Sequence, residues 1–184
     1  VRLSGSCMDS RSGMPDENTI TDAYILVYDD SGALEAEVKG YDAEIRITSG
    51  RNYTMLAYAN MGHIPAAEIL EEMMQYKYRL KSPYDYENGL PMCGILKDLR
   101  VDKDTIAEIR LERLISKVSI RVDRRRLDEE IEMNVNRVQI GNCPAEALVF
   151  QQSKVTDSLE CFDVGFERED TAPLNSLDAD GTSY

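Results

Sequence analysis

The side chains that most often carry catalysis are scarce in this sequence. Its 184 residues include one histidine, His63, and no tryptophan. A mechanism that needs two histidines, a His-rich metal site or a Cys–His pair therefore has a single candidate side chain. His63 follows Met61-Gly62 at a predicted junction between a strand and a helix, where a capping or surface role is favoured over catalysis.

The four cysteines do not form a recognisable metal or redox motif. They are far apart and never form a C-x-x-C pair, so the sequence gives no support for a zinc site. Four cysteines allow two disulfides in three pairings, and they equally allow none. Because free cysteine is among the most buried residue types, we predict buried free thiols. The cysteines are Cys7, Cys93, Cys143 and Cys161.

Three pairs of acidic residues could carry chemistry, but each is better explained as a turn. Asp29 and Asp30 are adjacent, and adjacent side chains in a hairpin turn diverge instead of facing each other across a cleft. The segments 102–104 and 178–181 contain fragments of a calcium-binding loop. Neither segment supplies the roughly 6–8 oxygen ligands that Ca²⁺ takes. We therefore predict no catalytic constellation, no metal and no cofactor.

The balance of charge argues against nucleic acid and membrane surfaces as partners. Lys and Arg number 21 against 34 Asp and Glu, which gives a net charge of −13. A strongly acidic surface repels phosphate groups and anionic lipids. The one basic cluster, Arg121–Arg126, is followed at once by acidic residues 128–130. No apolar run approaches the roughly 18 residues that a membrane-spanning helix needs.

Alternation with a period of two residues dominates the chain and predicts many short strands. Two segments, Ala23–Tyr28 and Tyr53–Asn60, are apolar on both faces, as is typical of central strands covered on both sides. The other predicted strands are Ala43–Ile47, Ile106–Leu111, Val118–Val122, Ile131–Ile140 with a bulge near Asn136-Arg137, and Ala147–Phe150.

One stretch has helical spacing instead. From Pro65 onward, apolar residues recur through Met74 at the period of a helix, and acidic residues lie near its start. Many short antiparallel strands with one inserted α-helix predict a mainly β fold, a β-sandwich. After about Ser153 the alternation fades. We predict a β-sandwich domain at residues 1–155, followed at 156–184 by an acidic linker or the truncated start of a second β-sandwich.

The order of these segments resembles that of the bacteroidete fimbrillin family, the subunits of fimbriae and related cell-surface adhesins. The resemblance covers roughly Val1–Val155. It implies a transthyretin-like antiparallel β-sandwich that forms the N-terminal domain of a two-domain subunit. The segments that carry it are Ala23–Gly32, Ile45–Asn60, the helix after it, Gly89–Met92 and Glu112–Val118.

The resemblance also implies how such a subunit assembles. Family members are exported as lipoproteins, reach the outer surface and are cut by an Arg-specific protease after the first strand. A strand from a neighbouring subunit then fills the groove that the lost strand leaves. In this sequence the loop at residues 8–18 contains one arginine, so the processing site would be Arg11-Ser12. The alternative is an ordinary exposed loop arginine. The displaced first strand would carry Val1, Leu3, Gly5 and Cys7.

We therefore expect a structural subunit or accessory adhesin of a bacterial fimbria, with no enzymatic activity. Its partners would be other fimbrial subunits and host or bacterial surface ligands, and it would meet the outer membrane only through a lipid anchor on its precursor. The alternative is a secreted or surface-anchored carbohydrate-binding module. That function needs an exposed aromatic platform, for which the candidates are Tyr76, Tyr78, Tyr84 and Tyr86.

Overall fold

The computed structural model describes residues 2–5, 18–82, 89–116, 118, 120, 122, 126–128, 130–151 and 160–167. This part of the chain contains ten strands and one short helix. The strands are β1 (Arg2–Gly5), β2 (Ala23–Tyr28), β3 (Leu34–Lys39), β4 (Arg51–Ala59), β5 (Lys77–Arg79), β6 (Met92–Val101), β7 (Glu108–Arg113), β8 (Arg137–Pro144), β9 (Glu146–Leu148) and β10 (Cys161–Glu167). The helix α1 is Leu70–Met73.

Six of the strands form the main sheet, in the order β1-β7-β6-β4-β2-β3. All neighbours in this sheet pair antiparallel except β1 and β7, which are parallel. The pairs β8–β10 and β5–β9 form two small antiparallel sheets. The prediction of a mainly β fold is confirmed. Among the described residues, no helix has the length and apolar character required to cross a lipid bilayer.

The two strands predicted to be apolar on both faces lie inside the main sheet. Every residue of β2 is buried, and so is the second half of β4. Successive side chains of a strand point to opposite sides, so these strands contribute to two cores. The first face of the sheet is defined by Ile25, Val27 and Met55, and the second face by Leu26 and Tyr58.

Tyrosine hydroxyls from the sheet hold the chain segment that covers the second face. Tyr28 donates a hydrogen bond from its hydroxyl to the carbonyl oxygen of Ala67, at 2.9 Å. The Tyr58 hydroxyl accepts the N–H of Ile64 at 3.1 Å and donates to the Ile64 carbonyl at 3.2 Å. Burial raises the pKa of Tyr28 to about 12, so this hydroxyl keeps its proton at neutral pH. These bonds satisfy buried backbone groups that have no strand partner.

Asn60 joins three segments at the end of β4. It is 4% exposed and has a φ of 62°. Its Oδ1 accepts the backbone N–H of Thr21 at 2.8 Å, and its Nδ2 donates to the carbonyls of Thr19 and Leu90, both at 2.8 Å. Gly89 has a φ of 95°, and a Cβ there would lie 2.5 Å from this Nδ2. The close packing around Asn60 therefore requires glycine at residue 89.

The predicted helix is shorter than its sequence pattern indicates. Periodicity placed it from Pro65 to Met74, but α1 contains only Leu70–Met73. In a longer helix, the carbonyl of Ala67 would accept an N–H four residues later. Here it accepts the Tyr28 hydroxyl instead. A tertiary hydrogen bond thus replaces a helical one, and the apolar residues of 64–74 cover the second face mostly as irregular chain.

Several predicted strands also differ from the observed ones. Ala43–Ile47 alternates in burial as expected, but it forms no strand. The described residues of 118–122 and 131–136 are not in strands either, and β8 begins at Arg137. The change of phase near Asn136 therefore marks the start of a strand, and the predicted bulge there was wrong. The register instead shifts in β10, between Phe162 and Val164.

β10 comes from the segment that we predicted as an acidic linker or the truncated start of a second β-sandwich, and it pairs with β8. The boundary at residue 155 stays a prediction.

The described cysteines are unpaired, and they differ in exposure. Cys93 is buried on the second face, Cys143 is half-buried, and Cys161 is exposed. Across the β8–β10 pair, Cys143 lies opposite Phe162, whereas Cys161 lies opposite Pro144. The prediction of buried free thiols is confirmed for Cys93 and wrong for Cys161. Cys7 lies outside the described residues.

Replacing Tyr58 with phenylalanine tests the role of its hydroxyl. The variant leaves the buried Ile64 N–H and carbonyl without a partner, so we expect the free energy of unfolding to fall by about 1–3 kcal/mol. Chemical denaturation measures this change. The matched control is Tyr24→Phe, because the Tyr24 ring stacks on Tyr58 but its hydroxyl makes no hydrogen bond within the described part of the chain. Equal losses in the two variants would contradict the assignment.

Thiol labelling of the native protein tests the cysteine environments. Burial raises the pKa of Cys93 to about 12, so this thiol stays protonated and unreactive at pH 8. We expect iodoacetamide to modify Cys161 in the native protein and to reach Cys93 only after denaturation. Peptide mass spectrometry locates the label. Labelling of Cys93 in the native protein would contradict this assignment, because it would show that the buried thiol is readily exposed to the reagent.

Candidate functional site at the edge of the main sheet

The first strand of the chain lies at one edge of the main sheet. β1 contains four residues and pairs in parallel with β7. In this register Leu3 lies opposite Ile109, and Gly5 lies opposite Leu111. A four-residue parallel strand makes few ladder hydrogen bonds, and parallel pairing is slightly less stable per residue than antiparallel pairing. The edge of the sheet is therefore closed by a weakly attached strand.

β7 presents two different rows of side chains to any strand that pairs with it. Ile109 and Leu111 are 1% and 3% exposed and belong to the first face. Glu108, Arg110 and Glu112 alternate with them and are exposed. A strand added at this edge gains main-chain hydrogen bonds from β7 and apolar contacts along one row only. Such an edge selects a strand with alternating apolar residues.

On its other side, β7 pairs with β6. Met92 pairs with Arg113, and Cys93 pairs with Glu112. The two backbones then approach so closely that a Cβ on Gly94 would lie 2.3 Å from the carbonyl oxygen of Arg110. A residue larger than glycine cannot occupy position 94 without moving one of the strands. β7 is thus paired with β6 on the side away from β1.

The opposite edge of the sheet is protected in a different way. β3 alternates half-buried residues with exposed Glu35, Glu37 and Lys39. Its first amide, that of Leu34, donates to the carbonyl of Glu68 at 2.9 Å, which ties the end of the edge to the chain before α1. Charged side chains along an edge strand discourage pairing with other chains. β7 carries a similar charged row, so the Leu34 bond is what distinguishes the β3 edge from the β1–β7 edge.

Only part of the predicted site lies within the described residues. Leu3 and Gly5 are in β1, at the edge where a displaceable strand has to be. Val1, Cys7, Arg11 and Ser12 fall outside, so cleavage at Arg11-Ser12 and displacement of the strand stay predictions. The sequence indicated that β7 is half-buried, but it could not indicate which strand lies beside it.

The side chains considered for catalysis, His63 and Asp29, contact neighbouring side chains and backbone groups. His63 Nε2 lies 2.9 Å from Glu37 Oε1, and its ring meets the Tyr24 ring edge-on at 5.4 Å. Asp29 forms the turn predicted for it: its Oδ1 accepts hydrogen bonds from the hydroxyl of Ser31 and the N–H of Ala33. These bonds, the Ser31 hydroxyl first, lower the pKa of Asp29. In the described ranges, no three His, Cys, Asp or Glu side chains come together as a metal site.

The predicted aromatic platform is only partly described. Tyr76 and Tyr78 are half-buried and pack against the core of the second face. Their rings are therefore not fully available to stack on a sugar. Tyr84 and Tyr86 lie outside the described residues.

Comparison with known proteins gives a likeness in fold alone. No protein-family model and no curated protein matches the chain. A fimbrial assembly protein from Parabacteroides distasonis matches with a TM-score of 0.52 and 15% identity, over 83% of this chain and 67% of that one. A fimbrilin from Porphyromonas gingivalis W83 matches with a TM-score of 0.56 and 14% identity, over 83% and 52%. A proposed polysaccharide-binding protein from Bacteroides thetaiotaomicron matches with a TM-score of 0.54 and 13% identity, over 82% and 58%.

The chain thus spans from about half to two thirds of the length of these three proteins. At this level of identity, the likeness shows a shared fold and nothing finer.

Proposed function

We propose that the chain is a structural subunit or accessory adhesin of a bacterial cell-surface fimbria. The observation that carries the proposal is the β1–β7 edge, where a short parallel strand covers a strand with an apolar row. The likeness in fold to a fimbrial assembly protein and a fimbrilin supports it. The partners are then other fimbrial subunits, and the location is the cell surface.

Assembly would begin with hydrolysis of the peptide bond between Arg11 and Ser12. The released segment, residues 1–11, contains β1 and is held by a short ladder, so it can dissociate. Its loss exposes the outer edge of β7, the strand that carries Ile109 and Leu111. A longer strand from a neighbouring subunit gains more main-chain hydrogen bonds there than β1 made. This difference in pairing would drive polymerisation.

The proposal includes finer features of the family resemblance. The domain is the N-terminal, transthyretin-like β-sandwich of a longer subunit, and the precursor carries a lipid anchor that associates it with the outer membrane. The protein has no enzymatic activity. The net charge of −13 supports the same function, because like-charged monomers repel one another until a strand is exchanged.

A second candidate function is carbohydrate binding at the cell surface. The fold is also similar to that of the proposed polysaccharide-binding protein from Bacteroides thetaiotaomicron. The two functions are compatible, since an accessory adhesin can both assemble into a fimbria and bind a glycan.

Digestion of the full chain with an Arg-specific protease tests the assembly proposal. We expect mass spectrometry to find cleavage after Arg11, the fragment 1–11 to separate from the rest, and electron microscopy to show polymers. The matched control is Arg11→Lys, which keeps the charge but removes the cleavage site. It should stay monomeric.

Two outcomes would contradict the proposal. One is cleavage elsewhere in the chain without release of residues 1–11. The other is release of that fragment with the remaining chain still monomeric at high concentration.

A further inference from the structure

A depression opens on the second face of the main sheet, between the sheet and the helix. Its volume is about 300 Å³. Strands β4 and β6 form one side, and α1 with the turn after it forms the other. The lining residues are Thr54, Leu70, Glu71, Met74, Gln75 and Lys97.

The lining combines an apolar base with a polar rim. Leu70 and Met74 are half-buried and pack against the core of the second face. The backbone that carries them is held in place, because the Met74 N–H bonds to the Leu70 carbonyl and the Leu70 N–H bonds to the Gly32 carbonyl. The backbone beneath the base is therefore formed without a ligand, and ligand sites are usually largely formed in advance.

The four polar side chains of the rim differ in chemistry. Glu71 offers only acceptors, Lys97 offers only donors, and Thr54 and Gln75 offer both. Within the part of the chain that the structure describes, none of these four side chains makes a hydrogen bond or an ion pair. Asn60 and Asp29, by contrast, use their polar atoms fully in bonds that hold the fold. The rim thus carries hydrogen-bonding groups that the described part of the chain leaves available to a ligand.

This combination defines the class of ligand. A sugar ring has an apolar C–H face that fits the base of Leu70 and Met74, and hydroxyls that both donate to Glu71 and accept from Lys97. An anion would be repelled by Glu71 and by the net charge of −13, whereas a cation would be repelled by Lys97. A volume of about 300 Å³ lies at the small end of ligand sites, which suits one ring.

We propose that this depression binds one neutral monosaccharide unit, as the terminal residue of a glycan. The proposal rests on the carbohydrate-binding function suggested above and gives that function a site. It does not use the tyrosine platform, because no aromatic side chain lines the depression. It also lies apart from the β1–β7 edge, so glycan binding and strand exchange can proceed in the same molecule.

Titration of the ¹⁵N-labelled full chain with neutral methyl glycosides tests the site. The probes are the methyl glycosides of glucose, galactose, mannose, fucose and N-acetylglucosamine. We expect at least one of them to shift amide signals at residues 54, 70–75 and 97 in a saturable way. Glu71→Gln and Lys97→Gln should each weaken that binding about tenfold, because each removes a charged partner of a sugar hydroxyl. Glu72→Gln and Lys103→Gln are the matched controls and should bind like the parent chain.

Two results would overturn the proposal. In the first, none of the five glycosides shifts these amides. In the second, a glycoside binds with shifts elsewhere, and Glu71→Gln is indistinguishable from Glu72→Gln. Protease-driven polymerisation of the Glu71→Gln variant separates the two functions, since the variant should assemble normally even where it has lost the sugar. If no glycoside binds at the depression, the assembly proposal is unaffected. If the protein does not assemble, the result of the glycoside titration still stands.

Discussion

The central strands of the main sheet are apolar on both sides, so both faces must be kept from water. All six residues of β2 are buried. The chain covers the second face with mostly irregular segments, whose backbone groups lack the partners that a strand would give them. Tyrosine hydroxyls from β2 and β4 supply those partners, through the bonds of Tyr28 to Ala67 and of Tyr58 to Ile64. Tyr28 and Tyr58 thus do two things: their rings bury apolar area, and their hydroxyls bond to backbone groups of the covering segment.

Once both faces are covered, the edges are where the main sheet can pair with another chain. The β3 edge carries charged residues and a bond to the segment before α1. The β7 edge carries only four residues of β1, while Gly94 permits the close approach that holds β7 to β6. This difference supports the proposal that a partner strand is added at the β7 edge. The depression near Glu71 and Lys97 lies on a face instead, which leaves it clear of either edge.

Local sequence patterns predicted those strands and turns whose formation depends on local burial and residue type. β2 and β4 were found because every residue or every second residue is apolar, and the turn at Asp29 was found from its residue types. β3 and β6 were missed, and α1 was predicted too long because the periodicity gives no sign that Tyr28 captures the Ala67 carbonyl. The parallel pairing of β1 with β7 joins residues about a hundred positions apart. The depression gathers side chains from three separate segments, so no sequence pattern could indicate it.

The central claim is that β1 is a replaceable cover on a strand that stays in the sheet. Hydrogen exchange of the backbone amides before and after cleavage at Arg11 and removal of residues 1–11 measures this directly. The account predicts that the β7 amides facing β1 lose protection in the cleaved monomer, while the amides of β4 keep theirs. Unchanged protection of β7 would show that β1 does not close this edge. Loss of protection in β4 as well would show that β1 is part of the core of the fold.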